Sequence, residues 1–219
     1  MSRIEIVAAE AFDAQAVLCI YAPYIRQTAV TFETEVPGET EFARRIESIS
    51  GEFPYLLLFA DSELVGYAYA HRQAERAAYG WNAELSVYLR MDCRGRGMGR
   101  ALYQLLIDLL AMQGYVNVYG VITGSNTPSI ALHEKMGFAH AGVHEKTGYK
   151  FGQWHDVVWM HKRIGGDGAP GAIVRFDALN GEKVRRRIGM TCEEIEKKLG
   201  KMPAEDTVED ILALLDEIK

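Results

Sequence analysis

The sequence predicts a mixed α/β protein in which helices pack on a sheet. Two observations carry this. Strand-like and helix-like pieces alternate through the first 164 residues, and "YLLLFA" and "ELVGYAYAHR", joined at Asp61-Ser62, read as a hairpin of buried strands.

The elements follow in order. "RIEIVAA" alternates apolar and polar residues as a short strand, and Asp13 stands where it would cap a helix with Val17, Ile20, Tyr21, Tyr24 and Ile25 on one face. A second amphipathic helix is expected from about Thr40, where Phe42, Ile46 and Ile49 recur at helical spacing. After the hairpin, "WNAELSVYLR" is a strand, and a long helix from about Arg100 stops at Gly114. "VNVYGVI" is another strand. "NTPSIALHEKMG" is a short helix with Pro128 in its first turn and Gly137 past its end. "FAHAGVHEKTGYKFG" and "QWHDVVWMHKRI" are two closing strands joined at a glycine turn.

Residues 165–172, "GGDGAPGA", hold four glycines and a proline and read as a linker between a domain of residues 1–164 and a small addition, residues 173–219. In the addition, "AIVRFDAL", Asn180-Gly181 and "EKVRRRIG" predict a second hairpin, because Asn-Gly readily supplies the positive φ angles of a tight turn. Thr191 with Glu194 resembles a capping box, and Thr207 with Asp210 marks the start of an acidic helix, "VEDILALLDEIK".

Composition limits the function. The 219 residues carry a formal net charge of −6, which argues against a broad nucleic-acid surface and makes any basic segment a local feature suited to a small anion. Cys19, Cys93 and Cys192 are far apart, with neither a disulfide nor a zinc spacing, so a reducing cytoplasm and no metal are expected. No window approaches the roughly 18 apolar residues of a membrane span, so no membrane partner is expected.

The basic segment is "RGRGMGRA", Arg94 to Ala101, between a strand and a helix. A helix N-terminus offers unpaired N–H groups and the positive end of the helix dipole. Gly95, Gly97 and Gly99 let the backbone curl around phosphate oxygens. A glycine-rich turn without a ligand is the plain alternative. A Walker loop would need a Gly-Lys-Ser/Thr ending, and a dinucleotide fingerprint would open the first strand–helix unit; neither description fits.

Arg94-x-x-Gly97-x-Gly99, following "SVYL", resembles the acetyl-CoA diphosphate loop of the GCN5-related N-acetyltransferases (GNAT). "IYAPYIRQTAVTFETEVP", "ELSVYL", "SNTPSIALHEKMGF" and "GYKFGQWHDVVWM" extend the likeness to the phosphinothricin and amino-acid-analogue acetyltransferases, from residue 3 to about 164. The resemblance implies a GNAT fold: a mixed sheet of six or seven strands flanked by about four helices, with the addition outside it.

It also implies roles. Acetylation needs an amine that is neutral when it attacks, and α-amines have pKa values near 8, so a proton acceptor is required. Glu84 matches the family's carboxylate on the central strand; outside the motif it reads as a solvated strand residue. His133 matches a histidine proposed to assist the same transfer, although a lone helix histidine is more often structural. Val87, Tyr88 and Leu89 would pair through their backbone with the pantetheine arm. Arg94, Gly95, Arg96, Gly97, Met98, Gly99 and Arg100 would hold the phosphates. Asn126, Ser129 and Lys135 match cofactor contacts, with Asn126 equally readable as a helix cap. The thiolate of departing CoA needs a proton, commonly from a tyrosine, and the sequence does not choose which. Cys93 adjoins the loop with no activating base beside it in sequence, so direct attack is expected over a thiol intermediate.

For the acceptor, Tyr24, Phe32 and Tyr79 correspond to pocket positions. Relatives carry Trp-Arg or Trp-Lys where this chain, aligned on Gly66 and Tyr79, has Gln73-Ala74; Arg72 or Arg76 would then receive a substrate carboxylate. A small amino acid or analogue is the expected acceptor, with a polyamine, a protein N-terminus or a non-catalytic acyl-CoA sensor as alternatives. A homodimer is expected, with the addition as one candidate for its contact.

Overall fold

A computed structural model describes residues 3–200. The strands are β1 (Ile4–Ala8), β2 (Tyr55–Ala60), β3 (Glu63–Arg72), β4 (Asn82–Leu89), β5 (Asn117–Thr123), β6 (Ala139–Lys150) and β7 (Gln153–Arg163). The helices are α1 (Ala14–Gln27), α2 (Glu39–Ile49), α3 (Met98–Gln113), α4 (Thr127–Lys135) and α5 (Gly181–Leu199). The strands form a single sheet in the order β1-β2-β3-β4-β5-β7-β6, antiparallel throughout except for β4 and β5.

Each face of the sheet has its own apolar layer. On one face α3 presents Leu102, Leu105, Leu106, Leu109 and Leu110, all fully buried against Leu56, Leu58, Ala68 and Leu85. On the other, α1 and α2 bury the predicted stripe of Val17, Ile20, Tyr21, Tyr24, Ile25, Phe42 and Ile46 against Tyr55, Leu57 and Tyr67. Asp61 and Ser62 take φ of 50° and 68°, so the first hairpin turns where the sequence put it. Phe151 and Gly152 close the second at φ of 51° and 75°. Asp13 bonds back to the Glu10 N–H rather than capping α1.

The C-terminal addition departs from expectation. Asn180-Gly181 is no hairpin turn: Asn180 has φ −61°, and its side chain accepts the Lys183 N–H at 3.0 Å, capping α5. Thr191, expected to start a helix, lies inside α5, with its hydroxyl donating to the Arg187 carbonyl. The physical reason is the spacing of Val184, Ile188, Ile195 and Leu199, which pack on the α3 core and need a helix to share one face. Ile195 is 1% exposed, worth about 1.5–3 kcal/mol. Arg187 donates to Asp108 of α3 at 2.7 Å, and Glu196 accepts the Ile4 N–H at 3.0 Å. The preceding segment is also tied down. Trp81 donates to the Gly171 carbonyl, and the Val174 N–H to the Gln113 carbonyl. The helix expected from Thr207 lies outside the described residues.

Candidate active site

β4 and β5 pair only at Asn82↔Asn117, Ala83↔Val118 and Glu84↔Tyr119. Beyond Glu84, β4 stays with β3 as far as Leu89 while β5 stays with β7 as far as Thr123, and the two diverge. Between them opens a cleft. Its walls are Leu85, Ser86, Val87 and Tyr88 on one side and Gly120, Val121 and Ile122 on the other, with Tyr103, Asn126, Ser129 and His133 closing it. Arg90 donates its N–H to Val65 on β3, so strand alternation turns the backbone of Val87 and Leu89 away from β3. The Leu89 carbonyl is taken by the Tyr24 hydroxyl at 2.6 Å, whereas Val87 keeps its strand edge toward the cleft.

At the end of β4 the predicted phosphate loop leads into α3. Gly95 and Gly97 both take φ 81°, a conformation other residues rarely adopt. Gly97 is the N-cap of α3 and brings no side-chain cap, which leaves the first helical N–H groups, at Met98, Gly99 and Arg100, without intrahelical partners. Arg94, Arg96 and Arg100 are exposed around them. Met98 contributes backbone here, its side chain being buried in the core. Burial pushes the Cys93 thiol above its ordinary pKa, which suits a packed residue and not a nucleophile. The donor set therefore fits a diphosphate.

Glu84 sits at the point where the strands part, its side chain 22% exposed. Across the β3–β4 register lies His71, a residue the sequence reading missed, with Nε2 at 3.7 Å from the Glu84 carboxylate. Its Nδ1–H donates to the Arg72 carbonyl at 3.0 Å, which aims Nε2 at the carboxylate. Burial lowers the His71 pKa, but the Glu84 charge more than reverses this and leaves it raised. Strand alternation marks residue 71 as facing the same way as Tyr69; only the register reveals Glu84 as its partner.

His133 is 4% exposed and engaged at both nitrogens. Its Nδ1–H donates to the Ser129 carbonyl, and its Nε2 accepts the Tyr103 hydroxyl, each at 2.8 Å. The ring lies so close to β5 that a Cβ on Gly120 would come within 2.4 Å of Nε2. Burial pulls the His133 pKa down and holds the ring neutral. The Tyr103 pKa is raised, first by burial and then by the Glu84 charge. Asn126 caps α4 by accepting the Ser129 N–H at 3.4 Å, and both residues line the cleft. Lys135 stands exposed at the far end of α4, roughly 13 Å along the helix from Asn126, and is not part of the cleft wall.

The residues expected on the acceptor side scatter. Tyr24 is buried under Tyr88, their rings crossing edge to face, with Arg94 over it. Phe32 packs on Gly148 and His155 of the β6–β7 hairpin. Tyr79 is 45% exposed on the loop between β3 and β4. Arg72 is the candidate the structure sets apart. As the neighbour of His71 on a strand it points to the opposite face from Glu84, and it pairs with Glu52 at 3.0 Å. Arg76 is exposed beside Tyr79, with no ion pair among the described residues. A groove beside Phe32 is lined by Glu33, Glu35, Glu41 and Arg45, with Arg45 bridging Glu33 and Glu41. Lys150 is buried next to this loop, donating to the Thr31 carbonyl at 2.8 Å.

The family model "Acetyltransferase (GNAT) domain" matches residues 6–159. The phosphinothricin N-acetyltransferase of Alcaligenes faecalis is 38% identical over 154 residues, 69% of this chain and 78% of its own. The L-methionine sulfoximine/L-methionine sulfone acetyltransferase of Pseudomonas paraeruginosa is 33% identical over 69% of this chain and 90% of its own. Among solved structures, the phosphinothricin acetyltransferase of Sinorhizobium meliloti in complex with AcCoA superposes with a TM-score of 0.75 at 32% identity, covering 81% of this chain and 98% of that one. The seven-stranded sheet is thus the fold of an acetyl-CoA-dependent N-acetyltransferase, and the chain belongs to the GNAT family.

Proposed function

We propose that this enzyme acetylates the primary amine of a small amino acid or amino-acid analogue, of the phosphinothricin and methionine sulfoximine kind, by direct attack. The single observation that carries the reading is the position of Glu84, the last residue of β4 paired with β5, immediately before Leu85, where the wall of the donor cleft begins. Acetyl-CoA supplies an activated acetyl thioester. The N–H groups of Met98, Gly99 and Arg100, with Arg94 and Arg96, hold its phosphates; Val87, flanked by Tyr88 and Leu89, pairs with the pantetheine arm; Asn126 and Ser129 form the opposite wall.

Glu84 accepts the proton of the acceptor ammonium, directly or through one water, and His71 holds the carboxylate in place. The Val87 N–H is suited to polarise the thioester carbonyl. His133 acts through Tyr103, fixing its hydroxyl in the cleft wall. With its pKa raised by burial, Tyr103 keeps its proton and serves as a hydrogen-bond donor rather than as the acid for the thiolate. On the acceptor side, Arg76, beside Tyr79 on the β3–β4 loop, receives the carboxylate end, since Arg72 is engaged elsewhere. The groove of Glu33, Glu35 and Glu41 favours a polyamine as the second reading.

The exposed Val143, Tyr149, Phe151 and Trp154 of the β6–β7 hairpin, on a sheet edge, support a homodimer formed there. Three unpaired cysteines agree with a reducing cytoplasm. The test is thiol release from acetyl-CoA against a panel of amino acids, their analogues and polyamines. Turnover with amino-acid analogues is expected, and turnover with polyamines alone would replace this acceptor with the second.

A further inference from the structure

We propose that Lys198, carried by α5, is a ligand for the diphosphate of coenzyme A, so that the C-terminal addition completes the donor site. The inference rests on the donor site described above but concerns a residue outside the family match, which ends at residue 159.

Lys198 lies across the phosphate loop. Its Cδ is 3.5 Å and its Nζ 4.0 Å from the point a Cβ on Gly97 would occupy, and Gly97 is the N-cap of α3. The ammonium is therefore beside the helix terminus whose free N–H groups form the proposed diphosphate cradle. Within α5 it donates to Glu194 at 2.9 Å, leaving two hydrogens for an anion. The Glu194 carboxylate is held below its usual pKa by Lys198 first, and by the more distant charges of Arg187 and Arg100. Arg187 is taken up by Asp108, so Lys198 and Arg100 are the cations set against this one carboxylate near the loop, positive charge that an incoming diphosphate would balance.

The placement of Lys198 is built into the packing. The buried Ile195, the Arg187–Asp108 pair and the Glu196 contact with Ile4 pin α5 on the turns just before Lys198. A lysine suits the task, being a compact charge on a flexible stem that can approach a phosphate without the planar demands of a guanidinium.

The test is calorimetry of the full chain with CoA for the wild type, Lys198→Ala and Lys198→Arg, alongside kcat/KM with S-acetylpantetheine, which has no phosphate. Lys198→Ala is expected to weaken CoA binding about three- to tenfold, the scale of a partly exposed charge-assisted hydrogen bond. Lys198→Arg should recover most of it, dephospho-CoA should show the same loss, and S-acetylpantetheine should show none. Equal affinity of the wild type and Lys198→Ala would overturn the proposal, as would an equal loss with S-acetylpantetheine or a loss that disappears with dephospho-CoA. A wild type that gives no heat with CoA would instead overturn the donor site itself, which keeps the two failures apart.

Discussion

His71 and Glu84 face each other across the β3–β4 register, the imidazole Nε2 3.7 Å from the carboxylate, at the point where β4 leaves β5. If Glu84 takes the amine proton, Glu84→Gln removes that function while keeping the shape. A fall in kcat of about 10²-fold or more is expected. The CoA dissociation constant should stay within about twofold. Steady-state thiol release and calorimetry measure the two, and a kcat close to wild type would remove Glu84 from the mechanism.

The same pair sets a pH signature. Because the folded protein raises the His71 pKa, folding favours the imidazolium. The stabilisation from the pair is complete below the unfolded value of about 6.5 and is lost as pH rises through the raised folded value. His71→Gln should therefore lower the unfolding midpoint more near pH 5.5 than near pH 9. A difference independent of pH would mean that His71 does not pair as an imidazolium.

His133→Ala is expected to be mainly a stability defect. It strands the buried Tyr103 hydroxyl and opens a cavity against Gly120, at a cost of about 2–4 kcal/mol. Chemical denaturation reads this directly. A variant that is fully stable yet inactive would give His133 a direct part in proton transfer.

Arg76 and Arg72 separate the acceptor readings. Arg76→Ala should raise the acceptor KM about tenfold or more while the acetyl-CoA KM stays constant, as expected for loss of a carboxylate partner. Arg72→Ala should leave both unchanged, since it removes only an exposed pair with Glu52 worth at most about 1 kcal/mol. The reverse pattern in a substrate titration would move the carboxylate site to the other face of the sheet.

Trp154→Glu tests the dimer. It puts a charge on the exposed aromatic patch of the β6–β7 hairpin, and sedimentation should show a shift from dimer to monomer. A wild-type monomer, or a variant that stays dimeric, would exclude that edge as the contact.

The sequence by itself determined what depends on neighbouring residues. Apolar periodicity gave away α1, α2 and the strands. The left-handed turns at Asp61-Ser62 and Gly137, the Asn126 cap and the loop of Gly95 and Gly97 were legible because each demand is met within a few residues. The tertiary structure decided what depends on residues far apart in the chain. Asn180-Gly181 satisfies either a hairpin turn or a helix cap, and the buried seat of Ile195 on α3 selected the helix. Strand register, set by the packing of whole layers, made His71 the partner of Glu84 and sent Arg72 to the opposite face. The docking of α5 brought Lys198 to a glycine about a hundred residues earlier in the chain. Local patterns name the elements, but which side chains meet is fixed by long-range burial, and no window of sequence contains that.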